Sequence, residues 1–368
     1  MKIAFLHHTF IAGSGIDGVV YEMARRLGKR HQVMVMTMRT DGSYRDVPVM
    51  VFPSQLNGKM DAVFAPLYVS AREIRRELAS YDIVCTQLYP ASVIPLFPTK
   101  LPIKHVLTEW GVQNIGGGLA NRVYTGLLKR MEDYTVRKAD VVLAGCEYTR
   151  RKSKRKDAVT LYQYGIDFDH LNHDHYGMYE RDRLSAEHPV IGRHDRVLLF
   201  VGRNSPHKHI DILIDALKLI PDKAVKLVVV GRQDFVKNQW LLEAKVEELS
   251  LADRVLFTGV VSSQEVVDWY CRCEMFVNAS EWEGFLIPEA FALSKPIVAY
   301  DTEAHREVIR SGRGTLVPEL TGTAFAIAVT ELLDNPWKAQ RLGGNGYVWA
   351  KQNLDYDRIV ENWERVVL

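Results

Sequence analysis

Short apolar runs that alternate with amphipathic stretches predict an α/β protein made of two doubly wound parallel-sheet domains in tandem. Three observations carry this. The chain has 368 residues, too many for one core and suited to two domains of roughly 180 residues. The alternation starts at residue 2, lapses over residues 173–195 and then restarts. Finally, a composition of 47% hydrophobic and 25% charged residues, with 25 Gly and 14 Pro, excludes a disordered, collagenous or coiled-coil chain.

Taken in order, residues 2–7 are a short apolar strand, and a stretch with Gly13, Gly15 and Gly18 follows it. Residues 19–27 place apolar side chains at helical spacing and residues 32–37 are again strand-like, which completes a βαβ unit. Further strands are expected at 82–86, 104–108 and 139–144, with a helix over 121–137. Residues 173–195 are polar with little periodicity and read as a linker. Beyond them, strands at 196–201, 225–230, 255–258, 275–277 and 296–300 alternate with helices at 210–220, 238–249, 263–271 and 289–293. The expected domains are therefore residues 1–172 and 196–346. An amphipathic tail, 347–368, carries Trp349, Ile359, Trp363 and Val367 on one face and is expected to pack back on the first domain. Two such domains are expected to face each other across a cleft at the carboxyl ends of their sheets, where open α/β sheets bind ligands.

Charge and cysteine content narrow the function. With 47 Lys+Arg against 45 Asp+Glu, the chain is too balanced for nucleic acid to be its bulk partner. Residues 1–180 nevertheless hold 24 basic against 18 acidic side chains. The run from Arg150 to Lys156 packs six cations into seven residues, with Arg122, Lys129, Arg130, Arg137 and Lys138 upstream. Such a run suits an anionic membrane surface or a phospholipid, and it equally suits a solvated helix end. Cys85, Cys146, Cys271 and Cys273 make no disulfide framework, and Cys271-Arg272-Cys273 lacks CxxC spacing. No apolar run approaches the ~18 residues of a membrane span, and the run before His7-His8 is too short for a signal peptide. A cytoplasmic protein, at most peripheral on the membrane, is expected.

Two loops carry chemistry. Gly202-Arg203-Asn204-Ser205-Pro206-His207-Lys208 joins a buried strand to a helix. Backbone N–H groups and the helix dipole attract anions there, and two cations five residues apart can clamp one. Ser280-Glu281-Trp282-Glu283-Gly284-Phe285-Leu286-Ile287-Pro288-Glu289 brings three carboxylates to one glycine-containing loop, which suits a polyol. Glu289 is also favoured simply by a nearby helix N-terminus. His7-His8 lacks a carboxylate partner at ligand spacing and reads as a pair of packing or hydrogen-bonding residues. His207 and His209 flank Lys208 without a third ligand, so no metal site is proposed.

Together these loops resemble the GT-B fold glycosyltransferases, in particular the retaining enzymes of family 4 (glycosyl transferases group 1). The resemblance covers nearly the whole chain and is strongest over residues 196–318. Leu199 through Lys208 is similar to the family's "fvGR…K" segment, Val228 through Gly231 to "vivG", and Phe257 through Val260 to "flG". Ser280 through Ala290 resembles "SxxEGFGxPxxEA" and Lys295 through Ala299 resembles "GKPVVA"; Glu307-Val308 with Gly314 through Pro318 resembles "E(V)…GxLVp". In the first half, Ala139 through Thr149 and Tyr164 through Asp167 match two further segments.

The resemblance implies a GT-B fold of two Rossmann-like domains, residues 1–172 binding the acceptor and residues 196–346 the nucleotide-sugar, and transfer of a mannose, glucose or N-acetylglucosamine type sugar from a UDP- or GDP-linked donor to a hydroxyl acceptor, lipid-linked acceptors included. It implies that Arg203 and Lys208 bind the diphosphate and neutralise the leaving group without a metal or other cofactor. Glu283 meets the sugar, while Gly284, Phe285 and Leu286 admit the backbone to sugar and phosphate. Glu289 accepts from the ribose; the base lies near Gly231, Arg232 and Val260, and Gly202 and Gly15 lie close to the donor. Glu283 to Glu289 is six residues where the family has eight, a separation that Glu281 to Glu289 restores. Trp110 and Gln87 stand where histidines are common, and Gly13-Ser14-Gly15 replaces a Gly-Gly pair. A nucleotide-sugar 2-epimerase of the same fold and a non-catalytic nucleotide-sugar-binding protein are the alternatives.

Overall fold

The computed structural model describes residues 1–12, 15–52, 69–87, 90–110, 119–162, 164–172, 176–233, 235–281, 286–310 and 312–368. The chain forms two compact units, one of Met1–Gly165 with Tyr356–Leu368 and the other of Ile166–Asp355.

Unit 1 opens with β1 (Lys2–Phe10), α1 (Gly15–Leu27), β2 (Gln32–Thr40) and β3 (Val49–Val51). It continues with α2 (Val69–Leu78), β4 (Ile83–Thr86), β5 (Lys104–Glu109), α3 (Leu119–Lys138), β6 (Val141–Ala144), α4 (Glu147–Lys152) and β7 (Val159–Thr160). All strands pair in parallel in the order β3-β2-β1-β4-β5-β6-β7. A parallel sheet is covered on both faces, and Ile3, Ala4, Phe5 and Leu6 of β1 are accordingly all buried. One face packs Ala4, Leu6, Met36 and Val84 against Ile74 and Leu78 of α2.

Unit 2 contains α5 (Met178–Glu187), β8 (Arg196–Val201), α6 (Ile210–Leu219), β9 (Val225–Val230), α7 (Val236–Glu248), β10 (Val255–Gly259) and α8 (Ser263–Arg272). Next come β11 (Met275–Asn278), α9 (Leu286–Ala292), β12 (Ile297–Tyr300), α10 (Glu303–Ile309), β13 (Thr315–Val317), α11 (Gly322–Asp334) and α12 (Pro336–Asn353). Its six parallel strands run β10-β9-β8-β11-β12-β13. Beside the switch between β8 and its two neighbours, the loops after β8, β9 and β11 gather at the carboxyl end of the sheet, the ligand end of such folds.

Two expectations are corrected. Residues 173–195 are not simply a linker, because α5 occupies Met178–Glu187 inside unit 2, with Leu184 buried and Arg183 donating to the buried Asp268 of α8. The tail is not one helix. Leu354 breaks it; Ile166 N donates to Leu354 O at 2.6 Å and Ile166 bridges Asp355. Trp349 therefore stays in unit 2, edge-on to Phe291 and beneath Arg313. The last helix, α13 (Tyr356–Val367), returns to unit 1 and buries Tyr356, Ile359, Val360, Trp363 and Val367, a stripe at helical spacing. Arg26 of α1 pairs with Asp357, His31 with Glu364, and Lys104 Nζ reaches the Val367 carbonyl.

Candidate functional site

At the carboxyl end of the unit 2 sheet, β8 and β9 end in two glycines that touch. Gly231 has φ +138°, and a Cβ on it would lie 2.3 Å from the Gly202 carbonyl oxygen. Only glycine permits that approach. The loops are then laced together: Gly202 N donates to Val230 O at 2.8 Å, Asn204 N to Arg232 O at 3.0 Å and Gly231 N to Gly259 O at 2.9 Å. Asn204 is buried and its amide bonds Phe235 N, Phe235 O and Gln239 Oε1. This fixes the segment that carries Arg203, an exposed side chain whose guanidinium lies 5.8 Å from the Phe235 ring centre.

Pro206–Lys208 is one 3₁₀ turn, and His209 in the left-handed region turns the chain into α6. Glu281, which follows β11, clasps this turn. Its N–H donates to His207 O at 3.2 Å and its carboxylate takes His209 Nε2 at 3.0 Å. The His207 ring is held below its usual pKa by burial and by the charges of Lys208 and Arg203. Lys208 also acts on His305 of α10, so its charge is felt by loops from two different strands.

Three buried polar atoms without hydrogen-bond partners among the described residues lie beside these loops: Ser280 Oγ, Glu289 Oε2 and His305 Nε2. An orphaned buried polar group costs roughly 1–3 kcal/mol, and these three lie at the carboxyl end of one sheet. Burial raises the Glu289 carboxyl to about 7, against the opposing effect of a hydrogen bond with the buried Tyr270 hydroxyl. Burial pushes His305 down to about 4; its Nδ1 donates to Tyr300 O at 2.6 Å, which leaves Nε2 as a bare acceptor.

Of the residues expected from sequence, Gly202, Arg203, Lys208, Gly231 and Arg232 lie on these adjoining loops. Glu289 stands on α9 behind them, and Val260 follows β10 with 73% of its surface exposed. Leu286 opens α9, and Gly15 opens α1 in unit 1. Glu283, Gly284 and Phe285 lie outside the described residues. Asn204 and Ser280 were named in the sequence only as members of their loops, with no role, and His305 was not named. A polar residue in the loop three positions after a buried strand was the available signal for Asn204, whereas nothing local distinguishes His305.

Unit 1 gives His7 a hydrogen-bonding role with a carboxylate that the sequence did not point to. Its carboxylate partner is Asp17, ten residues on: His7 Nε2 meets Asp17 Oδ1 at 2.9 Å, Thr9 Oγ1 donates to the same oxygen and Ile11 N to Oδ2. The two departures at positions where histidines were expected prove to be partners, since Trp110 Nε1 donates to Gln87 Oε1 at 2.8 Å. Gly145 leaves room for that indole, as a Cβ there would lie 2.7 Å from the ring. The basic run is only partly free surface. Arg150 pairs with Glu147, Lys152 sits over the Tyr148 ring, and Arg155 binds Asp157 and the carbonyls of Val136 and Ala139.

Among the described residues one group has metal-ligating geometry, Glu187, His188 and Glu265, with ligand atoms within 4.8 Å. Its Glu265 Oε1 is already approached by His188 Nε2 and Trp269 Nε1. No described helix is long and apolar enough to cross a membrane.

Known proteins match this chain along most of its length. The family described as glycosyl transferases group 1 matches residues 184–349, and the glycosyltransferase family 4 description matches residues 13–170. The chain is 26% identical to the alpha-D-kanosaminyltransferase of Streptomyces kanamyceticus over 90% of its own length and 92% of that protein's. It is 32% identical to the phosphatidyl-myo-inositol mannosyltransferase of Mycobacterium leprae over half of each chain. Among solved structures, Anabaena Alr3699/HepE in complex with UDP and glucose superposes with a TM-score of 0.83 at 20% identity, covering 99% of this chain and 98% of that one. The glycosyltransferase WaaG, involved in lipopolysaccharide biosynthesis, gives 0.78 at 16%, covering 100% and 99%. Two parallel sheets of 3-2-1-4-5-6 order, joined loop motifs at their carboxyl ends and these matches agree: the fold is GT-B, and the chain belongs to the glycosyltransferases of group 1.

Proposed function

We propose that this protein transfers a hexose of mannose, glucose or N-acetylglucosamine type from a UDP- or GDP-linked donor to a hydroxyl acceptor with retention of configuration. The observation that carries the reading is the juxtaposition of the Arg203–Lys208 loop with the buried, orphaned Ser280 Oγ, Glu289 Oε2 and His305 Nε2. A diphosphate placed over the loop meets both cations and the first N–H groups of α6, and a ribose meets Glu289.

In the proposed step the sugar C1–O bond to the diphosphate breaks and a C1–O bond to the acceptor forms on the same face. The acceptor's proton passes to the departing diphosphate, and Arg203 and Lys208 stabilise the charge that builds there, without a metal ion. The reading is supported by UDP and glucose in the HepE structure and by mannosyltransferases among the relatives. A lipid-linked or glycan acceptor is supported by relatives named for phosphatidyl-myo-inositol and for the lipopolysaccharide core of Rhizobium leguminosarum. The exposed cations Arg151, Lys152, Lys154 and Lys156 would then face anionic lipid on the cytoplasmic side.

A thermal-shift panel of nucleotide-sugars tests the donor, since a ligand at 100 times its dissociation constant stabilises by about 2.7 kcal/mol. Transfer to methyl glycosides and to phosphatidylinositol, assayed with and without EDTA, tests the reaction. No stabilisation by any UDP- or GDP-sugar would end the reading. Complete loss in EDTA that Mg²⁺ restores would return charge neutralisation to a metal.

A further inference from the structure

We propose that His209 and Glu281 are positioning residues of the transfer reaction: their hydrogen bond straps the loop after β8 to the loop after β11 and fixes Lys208 between two anchored neighbours. The inference rests on the transferase reading above, which assigns Lys208 to the diphosphate.

The backbone at His209 is unusual for its place. Among the described residues, three non-glycine positions have left-handed φ, His209 at +49°, Ser250 at +54° and Ser294 at +53°. Ser250 and Ser294 follow the ends of α7 and α9, where a chain commonly leaves a helix through that region. His209 instead closes the 3₁₀ turn and stands immediately before α6, a place that favours extended backbone and a capping Ser, Thr, Asp or Asn. A Cβ makes the left-handed region costly and glycine avoids that cost. The turn by itself therefore does not require histidine, and the His209 ring makes no cap bond to α6. It reaches Glu281, 72 residues away, at 3.0 Å.

Glu281 is anchored from its own side. Asn278 is buried at the end of β11, and its Oδ1 accepts from Ser280 N at 3.0 Å. The next residue, Glu281, donates its N–H to His207 O at 3.2 Å. It thus grips the residues on both sides of Lys208, one through its backbone and one through its side chain. Arg203 has a separate anchor in the buried Asn204, tied to Arg232, Phe235 and Gln239. Each cation of the loop is held through its neighbours, Arg203 from the β9 side and Lys208 from the β11 side. A charge that stabilises a transition state must already be in place when the reaction begins. With side chains 24% and 51% exposed, the His209–Glu281 pair adds little to stability, so its loss should appear in turnover.

The test uses the full chain and three variants. Glu281→Ala removes the side-chain bond and keeps the backbone one. His209→Asn tolerates the left-handed backbone but is too short to reach Glu281, and His209→Gln carries its amide at about the reach of Nε2. By hydrogen exchange without ligand, the amides of residues 205–209 should exchange about tenfold faster in Glu281→Ala and His209→Asn, and as in the parent in His209→Gln. With the nucleotide-sugar and acceptor that the parent uses, the first two variants should each lose about tenfold or more in kcat while donor KM stays within about threefold. Their double variant should lose no more than either alone. His209→Gln should stay within about threefold in kcat, and every melting temperature within about 2 °C of the parent's. Parent-like exchange or kcat in Glu281→Ala or His209→Asn, additive losses, losses that follow the melting temperature, or a His209→Gln variant as impaired as His209→Asn would each overturn the strap. Failure of the parent to use any nucleotide-sugar would strike the transferase reading, and hydrogen exchange would still decide whether the strap holds the loop.

Discussion

The two units share one plan and put different chemistry on it. Both sheets begin with the parallel order 3-2-1-4-5-6 and both end their central strands in polar loops. In unit 2 those loops are glycine and cation: Gly202 and Gly231 pressed together, Arg203 and Lys208 after them, and orphaned oxygens and nitrogen beside them. In unit 1 the ends of β1 and β4 carry side-chain hydrogen bonds instead, His7 to Asp17 and Gln87 to Trp110. Topology decides where ligands go, and loop residues decide which ligand. One fold repeated in a single chain therefore carries cations at the end of one sheet and side-chain hydrogen-bonding pairs at the end of the other.

The units also differ in how they are completed. Unit 2 is continuous in sequence, whereas unit 1 needs α13, which arrives after unit 2 has been traversed. Trp363 is 1% exposed at the centre of that contact. Trp363→Ala should destabilise unit 1 by about 3–5 kcal/mol and split denaturant unfolding into two transitions, with unit 2 still stabilised by nucleotide. A single transition shifted by less than about 1 kcal/mol would mean that α13 is a minor part of the unit 1 core.

The clamp comes next in size. Arg203→Ala and Lys208→Ala should each lower turnover about 100-fold or more, since one preorganised charge-stabilising donor contributes roughly 2.7–4 kcal/mol. The double variant should fall short of additivity because in the proposed step both act on one diphosphate. Turnover unchanged in either variant would remove the cation loop of unit 2 from the proposed reaction.

Which glutamate meets the sugar is the third question. Glu281 is half exposed and held by His209, so Glu281→Gln should change turnover less than about twofold. Glu283→Gln should lower it about tenfold or more through loss of a hydrogen bond to a charged group, roughly 1.5–3 kcal/mol. The reverse ranking at saturating donor would give the role to Glu281.

The smallest effect is the pH dependence set by Glu289. On the proposed reading ribose hydroxyls would bind its ionised form, while burial holds the carboxyl at about 7. Donor affinity should therefore fall about tenfold between pH 8 and pH 6, with one proton released on binding at pH 6. Glu289→Gln should flatten the profile. The sign for folding is opposite. A carboxyl raised in the fold binds more protons there than in the unfolded chain between about 4.5 and 7, so its contribution to ligand-free stability is lost as pH rises through 7. Calorimetry in buffers of different ionisation enthalpy would reveal the proton; its absence would mean that the carboxyl is already ionised before binding.

Much of this was legible in the sequence where the signal is local. Residues 196–201 and 225–230 are continuous branched apolar runs, and the strands β8 and β9 occupy those residues, because such runs are stable only inside a sheet covered on both faces. The loop from Gly202 to Lys208 announced itself through residue types that must act together within one turn. Pairing between distant residues had no such signature. His7 finds Asp17 across a helix start, Gln87 finds Trp110 from the neighbouring strand, and His209 finds Glu281 72 residues away. Each of these needs the strand order before two side chains can meet. Nor could periodicity tell Trp349 from Trp363. An amphipathic stripe states that a face is buried, while only the tertiary structure decides against what, and here a break at Leu354 sends one tryptophan to unit 2 and the other to unit 1.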